Sequence, residues 1–543
     1  MPLWSEELMQ QSNNMAHQYF SEEHDLFRQS VKQFIQQDVV PNIKQWENDQ
    51  KIPREVFRKM GEHGFLGINF PEAYGGTNND FWTTVVYLEE LAKAGFAGLS
   101  AAVSVHQFMA TNHILQAGSE DLKQRYLPKS ISGEYVGSIA ITEPGAGSDV
   151  ANIRTTAVRD GDFYVINGSK TFITNGVYGN FVTVACKTDP SAGAAGISLI
   201  VVDAGTPGYT SNKLDKMGWK SSDTGELFFD NVRVPVSNRV GQEGQGFFYI
   251  MESFQLERLV TGILGVAGSE SAIAITLNYL DERSAFNKPL SKFQVLRHKM
   301  VDLITELEVT KQFVYHCCWK HANGQFAVKE CSMAKLKASE LSKTIVDECL
   351  QVFGGYGYMT EYPIERAYRD ARVGTIVAGT TEIMKEIIAK TVIDKVSYES
   401  VYDNMRQSAE ASAESAIPET PLSANLTNHK NTTTMATPET AREILYSLPS
   451  RLKVDKVDAD TAGVFHFKMD GEGDFTITLK DKQVKVEEGL IGEPTCEVKA
   501  KAADYAAIEL GKTNPQMAFM MGKIKISNLG EMMKFMGLFA RIK

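Results

Sequence analysis

The chain is 543 residues long, with 43% hydrophobic and 23% charged residues and a formal net charge of -11 at pH 7. That length exceeds a single core and implies three or four domains at roughly 150 residues each, and the acidic balance excludes nucleic acid as a main ligand. No unbroken apolar run approaches the ~18–20 residues of a membrane-spanning helix.

Six scattered cysteines without a Cys-x-x-Cys pair read as free thiols of a reducing compartment, and ten histidines in no ligand-like spacing imply no metal site. The start, Met1-Pro-Leu-Trp-Ser-Glu-Glu, has neither a basic-then-apolar signal nor an Arg-rich transit character, and Ala540-Arg-Ile-Lys543 is not a peroxisomal ending. The expected location is therefore cytoplasmic.

Residues 1–136 read as a helical domain. Ser21 precedes a helix with apolar positions at Phe27, Val31, Phe34 and Ile35; Pro53 suits the first turn of a second, and Gly64 its end. Phe81 to Ala117 predicts one or two further apolar helices, and Ser119 caps another. His106 and His113, in apolar surroundings, read as core or substrate-lining side chains.

From residue 137 the pattern turns to strands, and 137–243 is expected to form an antiparallel β-barrel domain. Val136–Thr142 is strand-like and leads into the turn-rich Glu143-Pro-Gly-Ala-Gly-Ser-Asp149. Asp160-Gly161 and Asn167-Gly168 both read as hairpin turns, and strands continue at Phe181–Cys186, Ile197–Val202 and Glu226–Asp230. Helix returns over 244–395, broken near Asn287-Lys-Pro289 and Phe353-Gly-Gly-Tyr-Gly357, which predicts an antiparallel bundle of four or five helices.

Residues 396–436, rich in Ser, Ala, Thr, Asn and Glu, read as a disordered linker. Beyond them, 437–543 forms a separate α/β unit. It comprises a helix at Ala441–Leu448, a hairpin turning at Asp470-Gly471, strands at Val484–Glu487 and Cys496–Ala500, a helix at Tyr505–Leu510 and a Met-rich helix at Asn528–Phe539.

Within the bundle's first helix, Glu257 breaks the apolar pattern. At ~100° per residue, Ile250 and Leu264 project within ~20° of it, whereas Glu252 points to the opposite face. A carboxylate facing a core is costly to ionise, so it is paired or used. Spacing alone leaves both readings open, a buried structural ion pair and a catalytic base.

Two motifs carry a resemblance. Ile141-Thr-Glu-Pro-Gly-Ala-Gly-Ser-Asp149 and Gln351-Val-Phe-Gly-Gly-Tyr-Gly-Tyr-Met-Thr-Glu361, the latter followed by Arg366 and Asp370, resemble the two signatures of the acyl-CoA dehydrogenase family. Asn152 departs from the small residue that usually ends the first. There is no G-x-G-x-x-G fingerprint, so dinucleotide binding by a Rossmann unit is unsupported. The order helical domain, β domain, helical bundle over residues 20–395 is similar to that family's architecture, and it implies FAD as cofactor.

By that resemblance, Ile139, Ala140, Ile141, Thr142, Gly147 and Ser148 line the isoalloxazine, with hydrogen bonds from Thr142 and Ser148. Phe172, Ile173 and Thr174 cover another face. Gln351, Val352, Phe353, Gly354 and Gly355, with Arg283, Phe286 and Gln294, take the pyrophosphate and adenosine side from a neighbouring subunit, as the bidentate reach of Arg suits. Thr380, Thr381 and Glu382 complete the cofactor set, and Ser148, Arg258, Ala378 and Gly379 the acyl-CoA set.

Many family members carry a glutamate base where this chain has Ala378. The isovaleryl-CoA and long-chain branches instead place the base in an "Glu-Arg-Leu" context, which Glu257-Arg258-Leu259 resembles. The resemblance thus implies α,β-dehydrogenation of a medium- to long-chain fatty acyl-CoA in β-oxidation, with Glu257 as base and an electron-transfer flavoprotein as acceptor. It also implies a homo-oligomer, a dimer or tetramer. The alternatives are an oxidase that uses O2 and, because of Ala378, an inactive lipid-binding scaffold.

The last unit resembles the sterol carrier protein family through Gly511-Lys-Thr-Asn-Pro-Gln516, Ala518-Phe519 and Gly522-Lys-Ile-Lys-Ile526. That implies a bound lipid or acyl-CoA. Met517, Met520, Met521, Met532, Met533 and Met536 then either line a lipid tunnel or pack the core.

Overall fold

The computed structural model describes residues 19–399, 440–453, 457, 462–510 and 524–528, with 532, 534–536, 538 and 539. Most of the expected linker, the Gly511–Gln516 motif, Ala518-Phe519, and Met517, Met520, Met521 and Met533 lie outside the described residues. The chain divides into two compact units, Met1–Glu419 and Thr420–Lys543.

The first unit begins with seven described α-helices: α1 Glu22–Phe34, α2 Ile43–Asp49, α3 Arg54–Glu62, α4 Phe81–Lys93, α5 Ala97–Ser104, α6 Thr111–Ala117 and α7 Glu120–Ile131. Ser21 directly precedes α1, as expected, and its N–H donates to His24 Nδ1 at 2.9 Å, while Ser119 caps α7 by accepting from Leu122 N–H, as its position predicts. Pro53 sits one position earlier than expected, at the N-cap of α3. Where one or two helices were expected over Phe81–Ala117 there are three, α5 and α6 being joined by a π-helical stretch, Val105–Ala110. There His106 is buried and accepts from Gly137 N–H at 3.0 Å. Its other ring nitrogen donates to Ser130 O at 3.1 Å, so a histidine held neutral by burial, its pKa lowered to about 4, ties the end of α7 to the first strand.

That strand, β1 Gly137–Ala140, opens a sheet with β2 Thr156–Asp160, β3 Phe163–Thr174, β4 Phe181–Lys187, β5 Ile197–Asp203, β6 Tyr209–Lys213, β7 Thr224–Pro235 and β8 Arg239–Val240. Its order is β6-β7-β3-β2-β4-β5-β8, with β1 beside β4. Two expectations are corrected. The sheet is mixed, since β1 and β2 pair with β4 in parallel, and no ladder among the described residues closes it into a barrel by joining β6 to β8. Asn167-Gly168 is not a turn but lies inside β3 at a bulge between Ile166 and Gly168. Glycine is required there because a Cβ would stand 2.5 Å from Thr155 Oγ1. The Asp160-Gly161 turn between β2 and β3 forms as expected.

The bundle consists of α8 Gly246–Glu282, α9 Gln294–Ala322, α10 Val328–Phe353, α11 Pro363–Ala371 and α12 Thr381–Val392. A two-stranded hairpin, β9 Ser284–Ala285 and β10 Lys288–Pro289, fills the first break. The 37 residues of α8 make it the one described helix long and apolar enough to cross a membrane, but 61% of its apolar window is buried inside this protein. Small residues let α8 and α10 approach closely: a Cβ on Gly262 or Gly265 would stand 3.7 Å and 3.4 Å from the backbone of Ala334 and Ala338.

In the second unit α13 Ala441–Tyr446, α14 Leu448–Arg451 and α15 Ala502–Glu509 accompany a sheet of β11 Gly463–Asp470, β12 Gly473–Lys480, β13 Gln483–Glu488, β14 Cys496–Lys501 and β15 Ile524–Ile526, in the order β13-β12-β11-β14-β15. Phe465, Phe467, Phe475, Tyr505 and Phe535 form its core with buried Met532; Met536 packs against it, half-buried.

Candidate active site

Glu257 is 5% exposed, on the face of α8 that also buries Ile250, Ser253 and Val260. Its Oε1 accepts a hydrogen bond from Ser253 Oγ, one turn earlier, at 3.1 Å. Burial raises its pKa from 4.5 to about 7, against the opposing pull of the Ser253 hydroxyl and the Arg258 charge. Arg258 is buried as well, its guanidinium 5.4 Å over the Phe254 ring. No salt bridge of the described residues includes the Glu257 carboxylate. Of the two readings left open by spacing, the structural ion pair therefore has no partner among the described residues.

The start of α8 lies against the sheet. Phe254 on the helix and Ile141 after β1 pack on one apolar cluster that includes Val240 and Ile250. The turn following β1 is closed by Glu143 and Ala146, which exchange both backbone hydrogen bonds at 2.9 and 3.1 Å. Thr171 N–H donates to Thr142 O at 2.9 Å, which sets Thr142 beside Phe172. Phe172 sits at a bulge between Lys170 and Ile173 with φ +62°, and is 69% exposed. A left-handed, exposed aromatic residue in a strand is a strained conformation that surrounding structure must impose. Ile139, Ile141, Thr142 and Thr174 are half-buried, Ala140 and Ile173 are buried, and Gly147 and Ser148 are exposed. The Gly147 and Ser148 N–H groups have no acceptor among the described residues, and a Cβ on Gly147 would project into open space. This surface offers hydroxyl and N–H donors beside an aromatic face, a donor set that fits a flat, electron-rich ring.

A second group forms at the far end of α8. Arg283, Val352, Phe353, Gly354 and Gly355 line one cleft of about 400 Å³ with Tyr279 and Tyr356. Gly354 and Gly355 leave open space where a Cβ would be, and Arg283 lies 5.5 Å over the Tyr356 ring. Phe286, at φ +51°, is 89% exposed at the tip of the β9–β10 hairpin, and Gln294 and Gln351 are exposed. An arginine over an open glycine-lined cleft fits a pyrophosphate. Arg283 lies 283 − 257 = 26 residues beyond Glu257, which at 1.5 Å per residue is ~39 Å along the helix axis. One chain does not bring the two together.

The third group is the turn before α12. Ala378 and Gly379 have φ of +54° and +92°. Sequence reasoning missed what holds them: Lys335 of α10, fully buried, donates to Gly379 O at 2.6 Å. Burial, then the Arg258 charge, lowers its pKa to about 8. Thr381 is buried and donates to Glu340 Oε1 at 2.6 Å. Thr380 caps α12 by accepting from Ile383 N–H at 3.3 Å, and Glu382 is exposed. Nothing local marks Lys335, one of several lysines on α10; the contact spans 44 residues.

Comparison with known proteins agrees with this organisation. The N-terminal, middle and C-terminal domains of acyl-CoA dehydrogenase match residues 21–134, 138–232 and 244–393, and the SCP-2 sterol transfer family matches 447–540. The mitochondrial long-chain specific acyl-CoA dehydrogenase of Sus scrofa is 42% identical over 377 residues, covering 69% of this chain and 87% of the relative. The mitochondrial isovaleryl-CoA dehydrogenase of Pongo abelii is 37% identical over 378 residues, 68% of this chain and 88% of that one. A crystal structure of an acyl-CoA dehydrogenase from Geobacillus kaustophilus superposes with a TM-score of 0.68 at 45% identity, covering 69% of this chain and 99% of its own. This chain belongs to the acyl-CoA dehydrogenase family, whose members are FAD flavoproteins, and carries an SCP-2 sterol transfer family domain at its C-terminal side.

Proposed function

We propose that the chain desaturates medium- to long-chain fatty acyl-CoA thioesters to trans-2-enoyl-CoA in β-oxidation, with Glu257 as the base. The observation that carries this reading is a buried carboxylate with a pKa near 7, on the helix whose Ile250 and Phe254 share an apolar cluster with Ile141 after β1, in a chain with alanine at the other position where the family places its base. Abstraction of an α-proton from a thioester needs a carboxylate in a dry site whose pKa lies near the working pH. Ser253 holds Oε1, which leaves Oε2 to take the proton. Arg258 limits the rise in pKa without neutralising the group by a direct ion pair.

FAD, when bound, supplies the acceptor for the β-hydrogen. Thr142, Gly147, Ser148 and Phe172 would hold its ring, and Arg283 with Val352–Gly355 its pyrophosphate and adenosine side. Because the two groups lie at opposite ends of α8, a second copy of the chain supplies the Arg283 end to each ring site. Lys335 shapes the remaining wall by holding Gly379.

An electron-transfer flavoprotein is the proposed acceptor. The likeness to a solved structure reported for the electron transferring flavoprotein of Acidaminococcus fermentans, 35% identical with a TM-score of 0.67, supports that reading. The rival is direct reoxidation by O2, because a solved prolyl acyl carrier protein oxidase is 33% identical with a TM-score of 0.66. Stoichiometric peroxide during turnover would favour the rival.

The decisive experiment is anaerobic bleaching of the flavin by a panel of acyl-CoAs in the wild type and in Glu257→Gln. We expect the variant to keep FAD and acyl-CoA binding while the bleaching rate and turnover fall by about 10²–10⁴-fold. Near-normal turnover sinks the assignment, and a colourless wild type without extractable FAD sinks the enzyme reading in favour of a lipid-binding scaffold.

A further inference from the structure

Beneath the proposed flavin face lies an ion pair that the reaction does not use. Lys170 of β3 is 0% exposed, and Glu143, in the turn after β1, is buried. Lys170 Nζ donates to Glu143 Oε1 at 2.8 Å and to Ile141 O at 3.1 Å. The same carboxylate accepts from Thr155 N–H at 2.9 Å and from Arg154 N–H at 2.6 Å. Four directed hydrogen bonds thus converge from three chain segments: the β1 turn, the approach to β2, and β3. Burial lowers the Lys170 pKa. Burial would raise that of Glu143, but the Lys170 charge and the Thr155 donors hold it below the usual carboxylate range.

Packing alone gives no reason for charges here. An apolar pair of matching volume in a sheet core is often as stable as an ion pair or more so, because both ions must be desolvated. What an apolar pair lacks is direction. On one side of Lys170 the ammonium fixes Ile141 and Glu143, within the stretch that carries Thr142, Gly147 and Ser148. On the other, the ladder to β7 skips between Lys170 and Ile173, and Phe172 turns outward at φ +62°.

We propose that Glu143 and Lys170 are positioning residues that lock the β1 turn to the Phe172 bulge and so set the two walls of the flavin ring site. The inference rests on the flavin reading above, and its test is separable from it. The full-length chain carrying Glu143→Gln and Lys170→Met together keeps both volumes and removes both charges. A control carries Glu270→Gln and Lys93→Met, which removes a different pair (3.0 Å) that joins α4 to α8 and leaves its third member, Lys311, in place. FAD affinity, the visible spectrum of the bound flavin and its midpoint potential are measured in each, alongside Tm.

We expect the Glu143/Lys170 double variant to bind FAD about tenfold more weakly or worse, with an altered flavin spectrum or potential. The control should lose Tm but keep wild-type flavin properties. Wild-type FAD affinity, spectrum and potential in the double variant overturn the inference while leaving the flavin reading intact, as does an equal loss of FAD in the control. Should the double variant not fold, Glu143→Asp reads the same quantities. Its carboxylate is retracted by one methylene and cannot reach Lys170 and both N–H donors together, so unchanged flavin binding there is equally fatal. Wild-type protein without FAD sinks the underlying reading instead.

Discussion

Glu257 is where a single side chain carries the most chemical consequence, and pH reads it directly. Burial raises its pKa from 4.5 to about 7, so kcat/KM should rise with pH through about 7 as the carboxylate ionises, and lowering the pH should abolish bleaching before it abolishes binding. The same shift affects stability. Between its unfolded and folded pKa the native chain retains a proton that the unfolded chain has released. The associated stabilisation is full below pH 4.5 and is lost as pH rises through about 7. In Glu257→Gln that loss is absent. The fall in Tm from pH 5 to pH 8 should therefore be smaller in the variant, by the equivalent of about 3 kcal/mol. Asp370, raised to about 6 chiefly by burial, contributes in the same sense to both proteins, so the difference between them isolates Glu257. An identical pH dependence in the two would refute the buried, shifted carboxylate. The anomaly of this residue was legible from helical spacing; its pKa was not, because that depends on the burial of its surroundings by other elements.

At the scale of elements, β3 shows how tertiary pairing overrides a local signal. Asn167-Gly168 and Asp160-Gly161 look alike as dipeptides, yet only the second turns the chain. The first continues in a strand because β7 pairs along its whole length, with a bulge at Gly168. The two glycines should respond in opposite ways. Gly161 has φ +60° and open space around its Cβ position, so Gly161→Asn should change Tm little. Gly168→Ala would press a methyl onto Thr155 at 2.5 Å, and should cost about 1–3 kcal/mol in thermal or urea unfolding. Equal effects would indicate that the bulge is wrongly placed. The same strand carries Phe172, whose outward turn no hydrophobic pattern announces. The helices fared better: Ser119 caps as read, since capping is decided within one turn, whereas the π-helical break between α5 and α6 has no local signature.

At the scale of the molecule, the ~39 Å between Glu257 and Arg283 along α8 makes a prediction about assembly. Glu257→Gln chains should be inactive, and Arg283→Met chains should bind FAD weakly. Co-refolded mixtures should recover activity, because a mixed dimer has one site with an intact Glu257 from one chain and an intact Arg283 from the other. About a quarter of all sites would be restored by random pairing, and no recovery would mean that each chain builds its own site.

The second unit yields a separate expectation. If tethering the SCP-2 domain concentrates acyl substrate near the dehydrogenase unit, cleavage within 396–436 should raise the apparent KM for long-chain acyl-CoA, since a tether can supply an effective concentration near millimolar. An unchanged KM sinks that role.

Sequence by itself determined the order of the domains, the helices with strong caps, the family motifs and the oddness of Glu257, because each is encoded within one turn, one strand or one contiguous motif. Only the tertiary structure decided the open, mixed sheet, the bulge that turns out Phe172, the Lys335 hold on Gly379 and the Glu143–Lys170 pair. Those depend on which distant segments meet. The two lysine contacts span 44 and 27 residues, and whether a charge is paired in a core is set by the segments that bury it.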